Sequence, residues 1–168
     1  MEQALVKKAK NGDKDAFANL YLLYKDRLYR YAFYRLGNEA DALDALSLCI
    51  THAFEGIATL KNEKAFAAWL FKIMHYACAA IFTERQKHAA ADIDAVPENT
   101  FSQEANIQSV EIKEALAQLN ETEKEIVLLS VVAGYKSREI AALLDSTPGT
   151  VRSTLSRSLA KMRQFLER

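Results

Sequence analysis

The chain has 168 residues, half of them hydrophobic, with five glycines, two prolines and two cysteines. That composition excludes a disulfide scaffold and a disordered chain, and it points to a helix-rich fold of one large or two small domains. Lys plus Arg and Asp plus Glu number 22 each, so the chain lacks the basic excess of a protein held on DNA by charge alone.

No run approaches the roughly 20 apolar residues of a membrane span. Residues 1–8 have no apolar core of signal-peptide length. With two well-separated cysteines, the expected setting is reducing and cytoplasmic, without membrane insertion. The charge is unevenly spread. Residues 1–88 hold 13 basic and 10 acidic side chains, 89–110 hold four acids and no base, and 111–168 hold nine basic and eight acidic. Two mildly basic halves flank an acidic connector, and a protein of this kind binds DNA weakly alone or needs a partner.

Residues 2–10 read as a short helix ended by Asn11-Gly12. Asp13 caps the next helix, whose apolar positions are Ala16, Phe17, Leu20, Tyr21, Leu23, Tyr24, Leu28, Tyr31, Ala32 and Leu36, with Arg27, Arg30 and Arg35 on the outer side. Gly37 stops it. Asn38 caps a third helix, running to about Ala58, with Asp41 in the first turn, where the helix dipole favours an acid. Its apolar residues reach beyond one stripe, which suits deep burial or a greasy face kept for a partner. Asn62 can cap a fourth helix from Lys64 to about Arg85, with an apolar set of Phe66, Trp69, Leu70, Ile73, Tyr76, Ala77, Ala80 and Ile81. The stretch from Ala89 to Thr100 has no sustained apolar period and contains Pro97, which reads as a mobile linker.

A second helical unit begins near Asn106 or Gln108. Asn120-Glu121-Thr122-Glu123 has the form of a capping box, and an apolar helix follows to Gly134. Residues 137–144 make a short helix, Asp145-Ser146 a turn, and Thr147 the cap of a last helix with Pro148 at its first position. On that helix Val151, Leu155, Leu159, Met162 and Leu166 form the stripe expected to be buried. Arg152, Ser153, Ser156, Arg157 and Lys161 face away from it. Every charged residue from Thr147 to Gln164 is positive. Two helices with a basic, hydroxyl-rich outer face on the second read as a DNA-binding helix-turn-helix, the alternative being a helical hairpin with a solvated basic face.

Cys49-x-x-His52 and His75-x-x-Cys78 are mirror-spaced and could supply a tetrahedral zinc set; the plain alternative for the cysteines is two small buried residues. No phosphate-cradling glycine loop and no Ser, His and acid grouping is brought together by spacing, so an enzyme is not expected.

In this order the motifs resemble those of a bacterial RNA polymerase sigma factor, of the extracytoplasmic-function group of the sigma-70 family. Gly12-Asp13 with Ala16-Phe17 and Leu20-Tyr21 resembles the opening of the family's first domain, and Asp41-Ala42-Leu43-Asp44 its acidic Asp-Ala-Glu-Asp signature. Residues 65–73 (AFAAWLFKI) resemble its Phe-Arg-Ala-Trp-Leu-Phe-Arg-Ile run. Ala115-Leu116-Ala117-Gln118-Leu119, Gly134-Tyr135 and Gly149-Thr150-Val151-Arg152-Ser153 match the second domain. The first domain diverges: Leu43 replaces the signature Glu, Ser47-Leu48-Cys49-Ile50 stands for Gln-Glu-Thr-Phe, and His75-Tyr76 for Arg-Asn.

The resemblance implies an all-α fold of two small helical domains, a region 2-like bundle over 1–88 and a region 4-like helix-turn-helix over 108–168, joined by a flexible acidic linker over 89–107. It implies a transcription initiation factor with core RNA polymerase and promoter DNA as partners. It implies an anti-sigma factor as a third partner, and the free protein would be a monomer without cofactor or metal. Polymerase docking would fall to Asp41, Asp44, Ser47, Leu48 and Ile50. The melted minus-ten strand would fall to Lys61, Asn62, Lys64, Lys72, His75, Tyr76 and Arg85. The minus-thirty-five element would be read by Thr150, Arg152, Ser153, Ser156 and Arg157, with Arg138 and Lys161 near phosphates. Two other readings stay open: a sigma-like decoy that binds an anti-sigma factor or polymerase without melting DNA, and a stand-alone helix-turn-helix regulator.

Overall fold

A computed structural model of the chain describes residues 1–91 and 107–168, and among these residues all regular structure is helical. The first unit comprises α1 (Glu2–Lys10), α2 (Lys14–Leu36), α3 (Glu39–Gly56) and α4 (Phe66–Ala91), with single 3-10 turns at Ile57–Thr59 and Glu63–Ala65 between the last two. The starts follow from local chemistry. Asp13 accepts from the Ala16 amide at 3.1 Å and Asn38 from the Asp41 amide at 2.8 Å, each satisfying a donor that a helix end leaves without a partner. Gly37, at φ 88°, ends α2 in the left-handed region that a side chain would resist.

The core of this unit lies where α3 and α4 pack on each other and on α2. Leu20, Leu28, Tyr31, Cys49, Phe66, Leu70, Phe71 and Met74 are fully buried there. Each large apolar side chain so removed from water contributes about 1.5–3 kcal/mol before chain entropy is counted. The rings of Tyr24 and Phe66, and of Tyr31 and Phe71, meet edge to face at 5.6 and 6.0 Å.

Two sequence expectations change here. The buried stripe of α4 is Phe66, Leu70, Phe71, Met74, Ala77 and Cys78, while Tyr76 and Ala80 are exposed. The helix is apolar around most of its circumference, so its spacing permits more than one stripe, and contact with α2 and α3 selects among them. The helix also continues past Arg85 to Ala91. The expectation that no run approaches a membrane span is corrected: the helical stretch Glu63–Ala89 is long and apolar enough for one by length and hydropathy alone, with a mean hydropathy of 1.5 over its most apolar 18 residues. Its apolar face is spent on α2 and α3, as the core of a globular unit.

In the second unit α5 (Ile107–Leu116), α6 (Glu121–Val131) and α7 (Ser137–Leu144) all pack on α8 (Pro148–Leu166). Asn120 and Glu123 form the expected capping box, each side chain accepting from the other's backbone amide at 2.8 and 3.1 Å. Asp145 makes the turn of the helix-turn-helix at φ 55°, a conformation that Asp tolerates better than most residues. Thr147 accepts from the Thr150 amide at 3.2 Å, and Pro148 opens α8. Inside, the stripe of α8 is Val151, Leu155, Ser158 and Met162, and Leu159 and Leu166 are exposed instead. Ser158, fully buried, is small enough to let α6 approach. Its hydroxyl donates to the Thr154 carbonyl at 2.6 Å and lies 3.3 Å from Glu123 Oε2.

The linker read at 89–107 falls mostly on residues 92–106, outside the described residues; residues 89–91 close α4 and Ile107 opens α5. The two units lie against each other through α2 and α6. This corrects the placement of Arg35 on an outer side: it is 8% exposed. Arg35 points away from the first unit's own core, but the second unit occupies that side.

Candidate nucleic-acid interface

The outer face of α8 carries Thr150, Arg152, Ser153, Ser156, Arg157 and Lys161, all exposed, and Arg138 is exposed on α7. The face exists because the helix is anchored at both levels: Val151 and Ser158 fix the buried side, and the Thr147 cap fixes the start. Among the described residues, Arg138, Arg152 and Arg157 pair with no acid, so their guanidinium groups are available to phosphates or guanine edges. Lys161 differs. Its Nζ lies 2.9 Å from Glu123 Oε2, and that contact holds the Glu123 carboxyl below the ordinary glutamate range, helped by the Asn120 amide. The cleft between these elements, about 440 Å³, is lined by Asn120, Thr122, Glu123, Thr154, Arg157 and Lys161.

The second candidate surface runs along the loop before α4 and the first turns of that helix. Lys61, Lys64, Lys72 and Tyr76 are exposed, which gives three phosphate cations and one ring for base stacking. Asn62 is exposed, but its carbonyl oxygen is taken by the Lys64 amide at 3.0 Å. Lys61, Asn62, Lys72 and Tyr76 line one wall of a cleft of about 470 Å³, and Tyr135, Glu139, Ala142 and Leu143 of the second unit line the other.

Lys64 does not line that cleft, and the structure places the remaining two members of the set, His75 and Arg85, apart from it as well. His75 is buried, with Nδ1 3.7 Å from Glu125 Oε1 and no hydrogen-bond partner among the described residues. Burial holds its pKa below the ordinary histidine value, with Glu125 opposing and Arg35 adding to the shift. Arg85 is engaged at the start of α3. Its Nη1 donates to the Leu36 carbonyl at 2.7 Å and to Asp41 Oδ2 at 3.0 Å, joining α4 to the end of α2.

On α3, Asp44 and Ser47 are exposed, and Asp41, Leu48 and Ile50 are half-buried. Leu48 lines a groove of about 250 Å³ with His52, Ile73, Tyr76, Ala77 and Ala80, so the helix offers an apolar hollow beside its acidic start. Leu43 and Phe54 are exposed on a different side of α3 from Leu48. The mirror-spaced cysteines and histidines do not converge. Cys49 and Cys78 are buried in the core, His52 is exposed, and His75 faces Arg35 and Glu125. Burial pushes both thiols up to about 12.

Sequence reasoning missed the residues on which the cleft between the units depends. Arg35 donates to Glu121 Oε2 at 2.6 Å and Glu125 Oε1 at 3.1 Å. Arg27 donates to the carbonyls of Val132 and Ala133, each at 3.2 Å, at the end of α6. Tyr135 donates its hydroxyl to the Ala68 carbonyl. These contacts cross 67 to 106 positions of sequence, and no local pattern signals them.

Comparison with known proteins bears on both surfaces. The model of sigma-70 region 2 matches residues 20–87, and that of sigma-70 region 4 matches residues 109–162. The extracytoplasmic-function sigma factor BldN of Streptomyces coelicolor is 27% identical over 96% of this chain, which spans 64% of that relative's length. The sigma factor SigW of Bacillus subtilis is 26% identical over 96% of this chain and 94% of its own. The chain belongs to the extracytoplasmic-function group of the sigma-70 family. Sigma-70 factors are transcription initiation factors that bind core RNA polymerase and direct it to promoters. The region 2 match takes in most of α2, all of α3 and most of α4; the region 4 match takes in most of the second unit, including all of α7 and α8 as far as Met162. In fold, this sigma-70 member is like CnrH, solved in complex with the cytosolic domain of CnrY, with a TM-score of 0.75 and 20% identity over 99% of this chain and 97% of that one. It is also like the sigma factor RpoE of Bartonella quintana, solved with the anti-sigma factor NepR, with a TM-score of 0.74 and 21% identity over 90% of this chain and 96% of that one.

Proposed function

We infer that the chain is a promoter-directing subunit that supplies no catalysis and borrows its DNA affinity from polymerase. The observation that carries this reading is the face of α8, where Arg152 and Arg157 stand exposed and unopposed on a helix capped and buried as a major-groove reader requires. Such a face on a chain of zero net charge suits delegated binding: core polymerase provides affinity, and each unit reads one promoter element. In the second unit Thr150, Arg152, Ser153, Ser156 and Arg157 read the minus-thirty-five element, with Arg138 and Lys161 on phosphates. In the first, Lys61, Asn62, Lys64, Lys72 and Tyr76 hold the melted minus-ten strand. The other two minus-ten candidates, His75 and Arg85, face Glu125 and Asp41 instead. The α3 set of Asp41, Asp44, Ser47, Leu48 and Ile50 docks on polymerase. Residues 1–88 and 108–168 act as the two domains, in the cytoplasm, and the protein is a monomer when free. That both fold neighbours were solved with partners bound supports an anti-sigma factor as a further partner.

Run-off transcription with core polymerase on a promoter library tests the reading. Wild type should give discrete transcripts that the Arg152→Ala/Arg157→Ala variant loses. Wild type giving no transcript with any template would sink it. The decoy reading draws on one observation, that His75 and Arg85 are held in internal contacts rather than offered to DNA. A decoy would still be retained by polymerase or an anti-sigma factor in that case.

A further inference from the structure

Where the two units meet, a carboxylate of α6 faces a histidine of α4. His75 is 8% exposed, and its Nδ1 lies 3.7 Å from Glu125 Oε1, too far for a hydrogen bond. That oxygen is already taken. Arg35 Nη2 donates to it at 3.1 Å, and Arg35 Nη1 donates to Glu121 Oε2 at 2.6 Å. Lys124 Nζ stands 3.9 Å from the other oxygen of Glu121. The Tyr76 ring meets His75 edge to face at 5.2 Å. Tyr31 of α2 and Cys78 of α4 stand near the same Arg35 and Glu125; burial holds the Tyr31 hydroxyl well above its ordinary value and the Cys78 thiol at about 12, so both stay neutral near pH 7.

The seam thus sets two carboxylates, Glu121 and Glu125, against two cations, Arg35 and Lys124, and His75 fits among them uncharged. A proton on the ring would place a third positive charge beside Arg35, in a space closed to water, with no carboxylate left to match it. Once α6 withdraws, the ring faces solvent and takes its proton at the ordinary histidine value. Parted units therefore bind this proton more tightly than docked ones, and a ligand that prefers one of two states shifts the population toward that state. Burial lowers the His75 pKa in the docked chain, with Glu125 opposing and Arg35 adding, which agrees in sign.

We propose that His75 is a proton sensor at the seam of the two units: acidification charges the ring, and the charged ring drives α6 away from α4. The docked form is fully favoured above the ordinary histidine pKa and is lost as pH falls toward the lower docked value. Proton concentration then parts the units without help from another macromolecule.

The test uses the full chain and needs neither DNA nor polymerase. Small-angle scattering reads the separation of the units from about pH 7.5 to about 5.5, a range that brackets the ordinary histidine pKa and stays above those of carboxylates. Helical circular dichroism, unchanged, shows that the units part rather than unfold. In wild type the ratio of parted to docked chains should rise by at most about tenfold per pH unit, because one proton is involved. The chain has three histidines, and the other two, His52 and His88, are exposed. His52→Gln/His88→Gln should expand as wild type does, and His75→Gln should stay compact throughout. In wild type the His75 ring signal in NMR should titrate below those of His52 and His88, together with the expansion. A wild type that does not expand, or an equal expansion in His75→Gln, would overturn the sensor. If His75→Gln does not fold, the wild-type ring decides: titration in step with the expansion upholds the sensor, and titration alongside His52 and His88 at constant scattering overturns it.

Discussion

Lys161 Nζ lies 2.9 Å from Glu123 Oε2, so the last cation on the outer face of α8 is held by the cap of α6. The same carboxylate accepts from the Asn120 amide and lies 3.3 Å from the Ser158 hydroxyl. One acid thus ties the start of α6 to the middle of α8 and partly neutralises the DNA face. Glu123→Gln keeps the capping geometry and releases Lys161. The exposed pair is worth no more than about 1 kcal/mol of stability. The larger effect should be on DNA: in the polymerase complex, the dependence of log affinity on log salt should steepen by about one phosphate contact. The carboxyl's depressed pKa gives the sign of the acid dependence. The pair's contribution is present above the unfolded glutamate pKa and is lost as pH falls through the lower folded value. An unchanged salt slope in Glu123→Gln would show that Lys161 is not a phosphate contact.

Arg152 and Arg138 should fail in different ways. Arg152→Ala, on the face of α8, should lose about 1–3 kcal/mol and relax preference at one promoter position. Arg138→Ala, on α7, should weaken all promoters alike, with no change of preference. A randomised minus-thirty-five library, selected with each variant in complex with polymerase, separates the two outcomes.

Tyr31 is fully buried against Phe71, and its hydroxyl finds no hydrogen-bond partner among the described residues. Burial accordingly pushes its pKa well up. Tyr31→Phe removes an unsatisfied polar group without opening a cavity, so it should be neutral or stabilising, by up to about 1–3 kcal/mol. By contrast Phe71→Ala, a few ångströms away, should cost about 3–5 kcal/mol. Urea midpoints decide it: a clear loss of stability in Tyr31→Phe would mean that the hydroxyl has a partner.

His75 gives a pH dependence with a definite sign. Its pKa is lowered in the folded chain, so the unfolded chain binds the extra proton first. Stability should therefore be greatest above the ordinary histidine value and fall as pH drops from about 7.5 toward the lower folded pKa, by at most about 1.4 kcal/mol per pH unit. The groups facing it are Glu125 and Arg35 from the second and first units. Denaturation of wild type and His75→Gln across this range is the check. The variant should lose the histidine component of the slope, and parallel curves would place the titrating group elsewhere.

The ends of the helices were largely legible in the sequence, because caps are local chemistry. Asp13, Asn38, Asn120 and Thr147 each sit where their side chains accept from amides three residues on. The basic face of α8 was legible for the same reason, as a pattern within a single helix. Which face of α4 is buried was not, since an apolar residue at nearly every position fits several stripes, and Phe71 and Met74 entered the core only through contact with other helices. Leu159 and Ser158 exchanged roles because the space available beside α6 outweighed hydrophobicity. Arg27 and Arg35 were out of reach altogether. Their partners lie 86 to 106 positions away, and an arginine pointing off one bundle looks the same whether it meets water or a second bundle.

The apolar character of α4 has a consequence for how the chain is made. By length and hydropathy its Glu63–Ala89 stretch could pass for a segment bound for a bilayer. It leaves the ribosome after α2 and α3, the two helices whose faces cover Phe66, Leu70, Phe71 and Met74. Synthesis from the N-terminus therefore prepares the receiving surface before the greasiest helix emerges, and shortens the time in which that helix is open to a membrane or to another nascent chain.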